Sequence, residues 1–347
     1  MNGTLRRGLT AACAIALLTI APALLQAQTA PRPVIRVSVN PLVYTHLPVM
    51  LAADRGYFAN EGIDVVVSKY NGSSNTQLPM VARGDLDVTM MVPGPGLFNQ
   101  QSEGFNIKII GTEDSGSRKG WNDATWILVR KDLWDSRKIR TINDLRGHTV
   151  DAGPEGSPIN VLMRMALRKA GLSMSDLTFT GRLATPADWL AAMKNGSYDA
   201  ISAVEPIASV LVKQGYAVRL ASVGDVESWQ PQACFIASTG YLSKNRFAVT
   251  AFLKAVLRAE RDIVQAGPHW TPLTLNTMVH WSGLAAEDIA VVPSPAWYGG
   301  YGYLNADWIR AEQNFWVSLG LVKQKIDVAG FTDESFVTDA RHQLGIR

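Results

Sequence analysis

The sequence is poor in cysteine. Two occur in 347 residues, Cys13 and Cys234, too few for a disulfide framework, a zinc ribbon or a Cys-ligated iron–sulfur cluster. Histidine is scarce too. The five residues His46, His148, His269, His280 and His342 are scattered, and His269 and His280 are too far apart to share one helical metal face. Surplus charge of either sign is missing. Lys plus Arg number 33 and Asp plus Glu 30, a net of 33 − 30 = +3, without the basic stripe of a nucleic-acid binder. After residue 27 no run is apolar and long enough to span a bilayer. Nucleotide and hydrolase signatures are absent as well. Gly94-Pro95-Gly96 lacks the third glycine and downstream acid of a dinucleotide fingerprint, and Gly111 to Gly116 lacks the Lys-Ser/Thr of a P-loop. No Gly-x-Ser-x-Gly elbow occurs. No metal or cofactor is expected.

What remains is an ordinary globular composition, 18% charged and 47% hydrophobic, which excludes disorder as the main state. The length suggests about two domains. Arg6-Arg7 followed by an apolar run from Leu9 to Leu25, with a small residue at Ala27, reads as a secretory signal peptide over 1–27. Pro22 within the run and the lack of a following basic cluster argue against a membrane anchor. Loss of Arg6 and Arg7 would leave 31 − 30 = +1. Cys234 would then stand alone in an oxidising compartment. Its setting, Ala233-Cys234-Phe235-Ile236-Ala237, reads as a buried strand rather than a reactive thiol.

Along the chain, strands and helices alternate. Val34 to Val39, Gly62 to Val67, Leu86 to Val92 and Ile107 to Gly111 read as strands separated by helices, and continuous apolar strands of this kind imply a parallel sheet covered on both faces. A polar stretch from Glu113 to Gly120 follows, and the cycle restarts with strands at Thr125–Arg130, His148–Ala152, Asp199–Val204 and Val218–Val223. Gly84-Asp-Leu-Asp87 and Gly196-Ser-Tyr-Asp199 each follow a helix and open a strand that ends near a proline, Pro93 or Pro206. This internal repeat supports two similar α/β lobes. After Cys234 the pattern is mostly helical, beginning with Arg246 to Gln265. Such a tail should pack on the first lobe. The expected organisation is lobe one from 34–118 plus 236–347, with lobe two, 119–235, inserted.

In open α/β sheets ligands bind beyond the carboxyl ends of strands, at helix N-termini. Four loops are so placed: Tyr44-Thr45-His46, Asn71-Gly72-Ser73-Ser74-Asn75, Pro93-Gly94-Pro95-Gly96 and Gly153-Pro154-Glu155-Gly156-Ser157-Pro158. The second and fourth have the composition of an anion cradle, although Ser and Asn there also serve as plain helix N-caps. Among ten tryptophans, Trp308 and Trp316 read as helix core and Trp189 as packing a helix face. Trp121, Trp229 and Trp297 lie in polar or Pro/Gly-rich contexts near the expected cleft, where they could wall a ligand or pack under loops.

Several motifs in order resemble the SsuA/THI5-like (NMT1-like) family, the NitT/TauT-type solute-binding proteins of ABC importers, over about residues 34 to 265. They are Leu51-Ala-Ala-Asp-Arg-Gly-Tyr-Phe-Ala-Asn-Glu-Gly-Ile-Asp-Val65, Val81-Ala-Arg-Gly-Asp-Leu-Asp-Val88, Asp144-Leu-Arg-Gly-His-Thr-Val150, Gly156-Ser157, Tyr198-Asp-Ala200 and Glu205-Pro206. The resemblance implies a two-lobed periplasmic-binding-protein fold of the second type, with a small solute clamped between lobes. It implies a monomer in the periplasm, delivering to an ABC permease and its ATPase, with no part for nucleic acid. By position it assigns Ser73, Ser74, Asn75, Gly94, Pro95, Gly156, Ser157 and Glu205 to the cleft, which Thr45, His46, Trp229 and Trp297 join from the loop reading. Helix N-termini favour an anionic group on the solute, such as sulfonate or nitrate, and Glu205 a cationic or donating group, as in taurine. A pyrimidine or thiamine precursor and an aromatic carboxylate are the alternatives. The family also contains pyrimidine-synthesis enzymes with a cysteine-rich iron-binding run that this chain lacks, so a binder rather than an enzyme is expected. Where the family often has tryptophan before the glutamate, this chain has Val204, removing an aromatic wall.

Overall fold

The computed structural model describes residues 31–346, apart from 114–115, 156, 184 and 227–232. The expected signal peptide, Gly156 and Trp229 lie outside the described residues. Ten strands form two five-stranded sheets. The first holds β1 (Val34–Val39), β2 (Asp64–Lys69), β3 (Val88–Met91), β4 (Ile107–Thr112) and β10 (Cys234–Ser238), in the order β2-β1-β3-β10-β4. The second holds β5 (Thr125–Arg130), β6 (Thr149–Asp151), β7 (Thr178–Phe179), β8 (Ala200–Val204) and β9 (Ala217–Ser222), in the order β7-β6-β8-β5-β9. The fold is two-lobed α/β, one lobe to each sheet.

The β-branched runs form strands because both faces of each sheet are covered. All four residues of β3 are buried. On one face of the first sheet Ile35, Val37 and Phe235 pack with Phe252 and Val256 of the helix Arg246–Ala266. On the other, Ile109 and Ile236 pack with Phe98, Ile309 and Trp316. The second sheet likewise has a core on each side, one around Val129, Val150 and Leu167, the other around Leu128, Ile201 and Leu211. Cys234 is fully buried in β10.

The expectation of parallel sheets needs correction. β10 runs antiparallel to β3 and β4, and β5 runs antiparallel to β8 and β9. Each is the fourth strand of its sheet and the first strand after a passage of the chain from the other sheet. A strand that enters from the other sheet does so without a crossover helix and so runs opposite to its neighbours. β10 also brings Cys234 and Phe235, assigned from sequence to the inserted segment, into the first sheet.

The short repeat falls at matching places in the two sheets. Gly84 and Gly196 end their helices with φ of 80° and 75°, a conformation that glycine adopts without the steric cost of a Cβ. Three residues on, Asp87 donates its N–H to Arg36 O (2.9 Å) and its carboxylate accepts the Arg36 N–H (2.7 Å). Asp199 does the same with Thr149, at 2.8 and 3.1 Å. An aspartate thus fastens the central strand to its parallel neighbour, β3 to β1 and β8 to β6. Among the described residues no helix is long and apolar enough to cross a membrane.

Candidate functional site

The carboxyl-end loops of both sheets enclose a cavity of about 450 Å³. The first sheet contributes Asn40 to His46 after β1, Tyr70 to Ser74 after β2, and Met90 to Val92 at the end of β3. The second contributes Thr125 at the start of β5, Pro154, Ser157 and Ile159 after β6, Thr185, Ala187 and Trp189, and Val204 and Glu205 at the end of β8. Much of this wall is aliphatic, thioether or aromatic. Among the described lining residues there is no lysine or arginine.

On the first wall, Asn40 organises the β1 loop. Its side-chain oxygen accepts the Leu42 N–H (3.1 Å) and its own N–H donates to His46 Nδ1 (3.0 Å). His46 is 3% exposed, and burial pushes its imidazole down to about 3, so the ring is neutral. With Nδ1 accepting, its proton sits on Nε2, 3.6 Å from Glu113 Oε2. That separation is too long for a strong hydrogen bond, and burial is the cause of the shift. The adjacent Tyr44 is held by its main chain, whose carbonyl accepts the Tyr298 hydroxyl (2.6 Å). Its ring meets Trp270 edge-on at 5.3 Å. In the β2 loop, Ser73 Oγ accepts the Asn75 N–H (3.3 Å) at the start of a 3₁₀ turn, Ser74–Gln77. The N-cap reading therefore describes Ser73.

On the second wall, Asp151 organises the β6 loop. It is 1% exposed. Its carboxylate accepts the N–H groups of Gly153 (2.7 Å) and Arg182 (2.7 Å) and the Thr180 hydroxyl (2.8 Å). Gly153 has φ of 64°, and a Cβ there would lie 2.4 Å from Ile159 Cδ1, so this close turn requires glycine. Ser157 closes the loop by donating its hydroxyl to Pro154 O (2.7 Å). Glu205, 1% exposed, accepts from Ser209 N–H (3.0 Å), Ser209 Oγ (3.1 Å) and Arg219 Nη2 (2.9 Å). Burial pushes its carboxyl pKa up, and Arg219 and Ser209 oppose that rise. Its carboxylate is thus bonded within its own lobe while it lines the cavity.

The structure brings Thr45, His46, Ser73, Ser74, Ser157 and Glu205 to one cavity, the first four on the first wall and the last two on the second. Asn75, Gly94, Pro95 and Trp297 are not among its lining residues. Asn75 instead packs on Gly96, whose Cβ would lie 2.9 Å from its Oδ1. Gly94 caps the helix Pro95–Ser102, and Pro95 is buried in its first turn. Trp297 meets Trp121 at 5.2 Å and lies under the Arg118 guanidinium at 4.8 Å, so both tryptophans pack at the chain crossing. The nearby Ser294 accepts the Asn122 N–H (2.8 Å). Sequence reasoning missed Trp189 as a wall of the cavity; it supplies from the helix preceding β8, Pro186–Asn195, the aromatic surface that Val204 removes. The signal was available: the Thr185–Asp188 capping box starts that helix, placing Trp189 in its first turn. It also passed over Tyr44 as a contact, although Thr45 and His46 were chosen from the same Tyr44–His46 turn. Among the described residues no three His, Cys, Asp or Glu side chains converge on a metal position.

Comparison with known proteins bears on this arrangement. The model of the NMT1-like family matches residues 28–268. YtlA of Bacillus subtilis (strain 168), named as a binding protein, is 24% identical over 268 residues, 75% of either chain. An Escherichia coli (strain K12) protein named for binding aliphatic sulfonates is 32% identical over 174 residues, 50% of this chain and 49% of its own. Among solved structures, the alkanesulfonate-binding protein SsuA of Xanthomonas axonopodis pv. citri, bound to MOPS, superposes with a TM-score of 0.67. It is 23% identical, and the match covers 88% of this chain and 99% of that one.

Proposed function

The chain belongs to the NMT1-like family, and from that premise we propose that it is the solute-capturing component of an ABC importer. Residues 1–27 export it to the periplasm. There it works as a monomer, without chemistry, and hands its solute to a membrane permease driven by an ATPase. The observation that carries this reading is the cavity of about 450 Å³ whose wall is shared by the strand-end loops of two sheets. A solute in that position touches both lobes. It therefore favours whichever arrangement brings them together, and closure follows by population shift. The solute is an oxygen-rich anion of the sulfonate class, as the names of the relatives suggest. The apolar wall favours a member with a substantial carbon body over nitrate or taurine. Glu205 acts as part of the lobe-two frame, tied to Arg219 and Ser209.

Thermal-shift measurements against sulfonates, nitrate, aromatic carboxylates and pyrimidines test the reading, because a ligand that binds the folded state raises the melting temperature by mass action. A concentration-dependent rise with a sulfonate, with the solute recovered unchanged after incubation, is expected. No rise with any of the four classes would contradict a carrier of this kind, and a chemically altered solute would show an enzyme instead.

A further inference from the structure

Two side chains on opposite walls of the cavity share one state. Tyr44, from the first lobe, is 2% exposed, and Trp189, from the second, is 6% exposed. The Tyr44 hydroxyl and the Trp189 indole nitrogen are both buried without a hydrogen-bond partner. Folded proteins satisfy nearly all such groups, so each exception calls for a reason. Of their neighbours on the same walls, Ser73 accepts from Asn75, Ser157 donates to Pro154 O, and Glu205 accepts from Ser209 and Arg219. The indole nitrogen can only donate. The phenol also donates, because burial and then the Glu205 carboxylate hold its proton in place. Around this pair Met90, Met91, Val92, Ile159 and Val204 present apolar surface.

Resting on the solute-binding reading above, we propose that Tyr44 and Trp189 are the specificity-determining donors of the site, one from each lobe. They take the head-group oxygens of a monoanionic sulfonate or carboxylate with an aromatic or branched aliphatic body. The body supplies the larger share of the affinity through apolar burial. The head group is held by neutral donors instead of a counter-charge. Among the described lining residues the one carboxylate, Glu205, is already bonded to Ser209 and Arg219 within its lobe, which disfavours an ammonium group on the solute. Because the two donors belong to different lobes, a solute that satisfies both also favours the closed arrangement.

Isothermal titration of the whole protein with benzenesulfonate, benzoate, taurine and nitrate tests this. Tyr44→Phe and Trp189→Phe each keep an aromatic ring and remove a donor. Benzenesulfonate or benzoate should bind at least about tenfold more tightly than taurine or nitrate, and each variant should weaken that binding roughly five- to twentyfold. The wild-type Kd should change less than about threefold between roughly 20 and 500 mM salt, because no lysine or arginine is among the described residues that line the cavity. Melting curves of the unliganded variants check that both are folded. Taurine or nitrate binding as tightly as the aromatic probes, or wild-type affinity in both variants, would overturn the donor assignment and leave the carrier role standing. Silence of all four probes would also overturn it, whereas the carrier role falls only if the wider thermal-shift panel is silent as well.

Discussion

The two lobes share a skeleton and differ in how they finish it. In each, a helix ends on a left-handed glycine, Gly84 or Gly196, and an aspartate three residues later fastens the central strand to its parallel neighbour. In each, the fourth strand is the antiparallel one. At the cleft the likeness stops. The lobe-one edge is ordered by neutral groups, with Asn40 bonded to His46 and Leu42 and Tyr44 held through Tyr298. The lobe-two edge is ordered by buried carboxylates, Asp151 gathering two loops and Glu205 tied to Arg219. A repeated topology can thus be kept by a left-handed glycine and a strand-fastening aspartate, while the residues that line the cavity vary independently.

That contrast can be broken from the lobe-two side first. Asp151→Ala should destabilise the protein by about 3 kcal/mol, because several buried donors lose their acceptor together. Asn40→Ala should cost only about 1 kcal/mol, since it releases a single accepted N–H at the cavity edge. Urea unfolding of both variants checks the ranking, and equal losses would remove the proposed difference between the edges.

Titration sharpens the same comparison, because lobe one also buries groups with shifted ionisation. Glu312, on the helix Ala306–Ser318, accepts the Trp316 indole N–H (2.9 Å) and is pushed up to about 8 by burial. The folded state then holds a proton that the unfolded chain releases above about 4.5. Its contribution is complete below that pH and is lost as pH rises toward 8. Glu312→Gln should therefore gain on wild type by roughly 2 kcal/mol between pH 5 and pH 8. His46 has the opposite sign. The unfolded chain takes up a proton below about 6.5 and the folded state resists until about 3, so stability falls on acidification through that window. His46→Asn keeps an acceptor for the Asn40 N–H and should remove about 1 kcal/mol per pH unit of that fall. Denaturation midpoints from pH 4 to 8 measure both, and parallel curves for wild type and variant would contradict either assignment.

The smallest expected effect compares the repeated aspartates. Asp87 has a side chain only 2% exposed and pairs with Arg36, whereas the Asp199 side chain is 23% exposed. Asp87→Asn should cost about 1 kcal/mol more than Asp199→Asn, since solvent screens the second pair. A reversed order in urea unfolding would mean that the shared backbone bonds, rather than burial, set their value.

The order of strands and helices was legible in the sequence because each carries its own periodicity or cap. Val34 to Val39, the Thr185–Asp188 box and the Gly84 and Gly196 stops all act over a few residues. Strand direction was not, because the antiparallel placement of β5 and β10 depends on which sheet the chain enters, a contact without a local signature. In the site, loop position was legible and side-chain duty was not. Ser73, Asn75 and Glu205 carry the composition of ligand contacts, yet Ser73 accepts from Asn75, the Asn75 side chain packs against Gly96 and Glu205 is bonded to Arg219. Trp297 stood out by its Pro/Gly-rich setting, but the same setting builds a tight turn at the chain crossing, where the ring packs on Trp121.

The central claim is that one solute, held between the walls of two lobes, draws them together. Small-angle scattering with and without saturating benzenesulfonate tests it most directly, with binding confirmed by calorimetry on the same sample. A smaller radius of gyration in the bound state is the expected result. Confirmed binding with superimposable scattering curves would contradict closure on a shared solute.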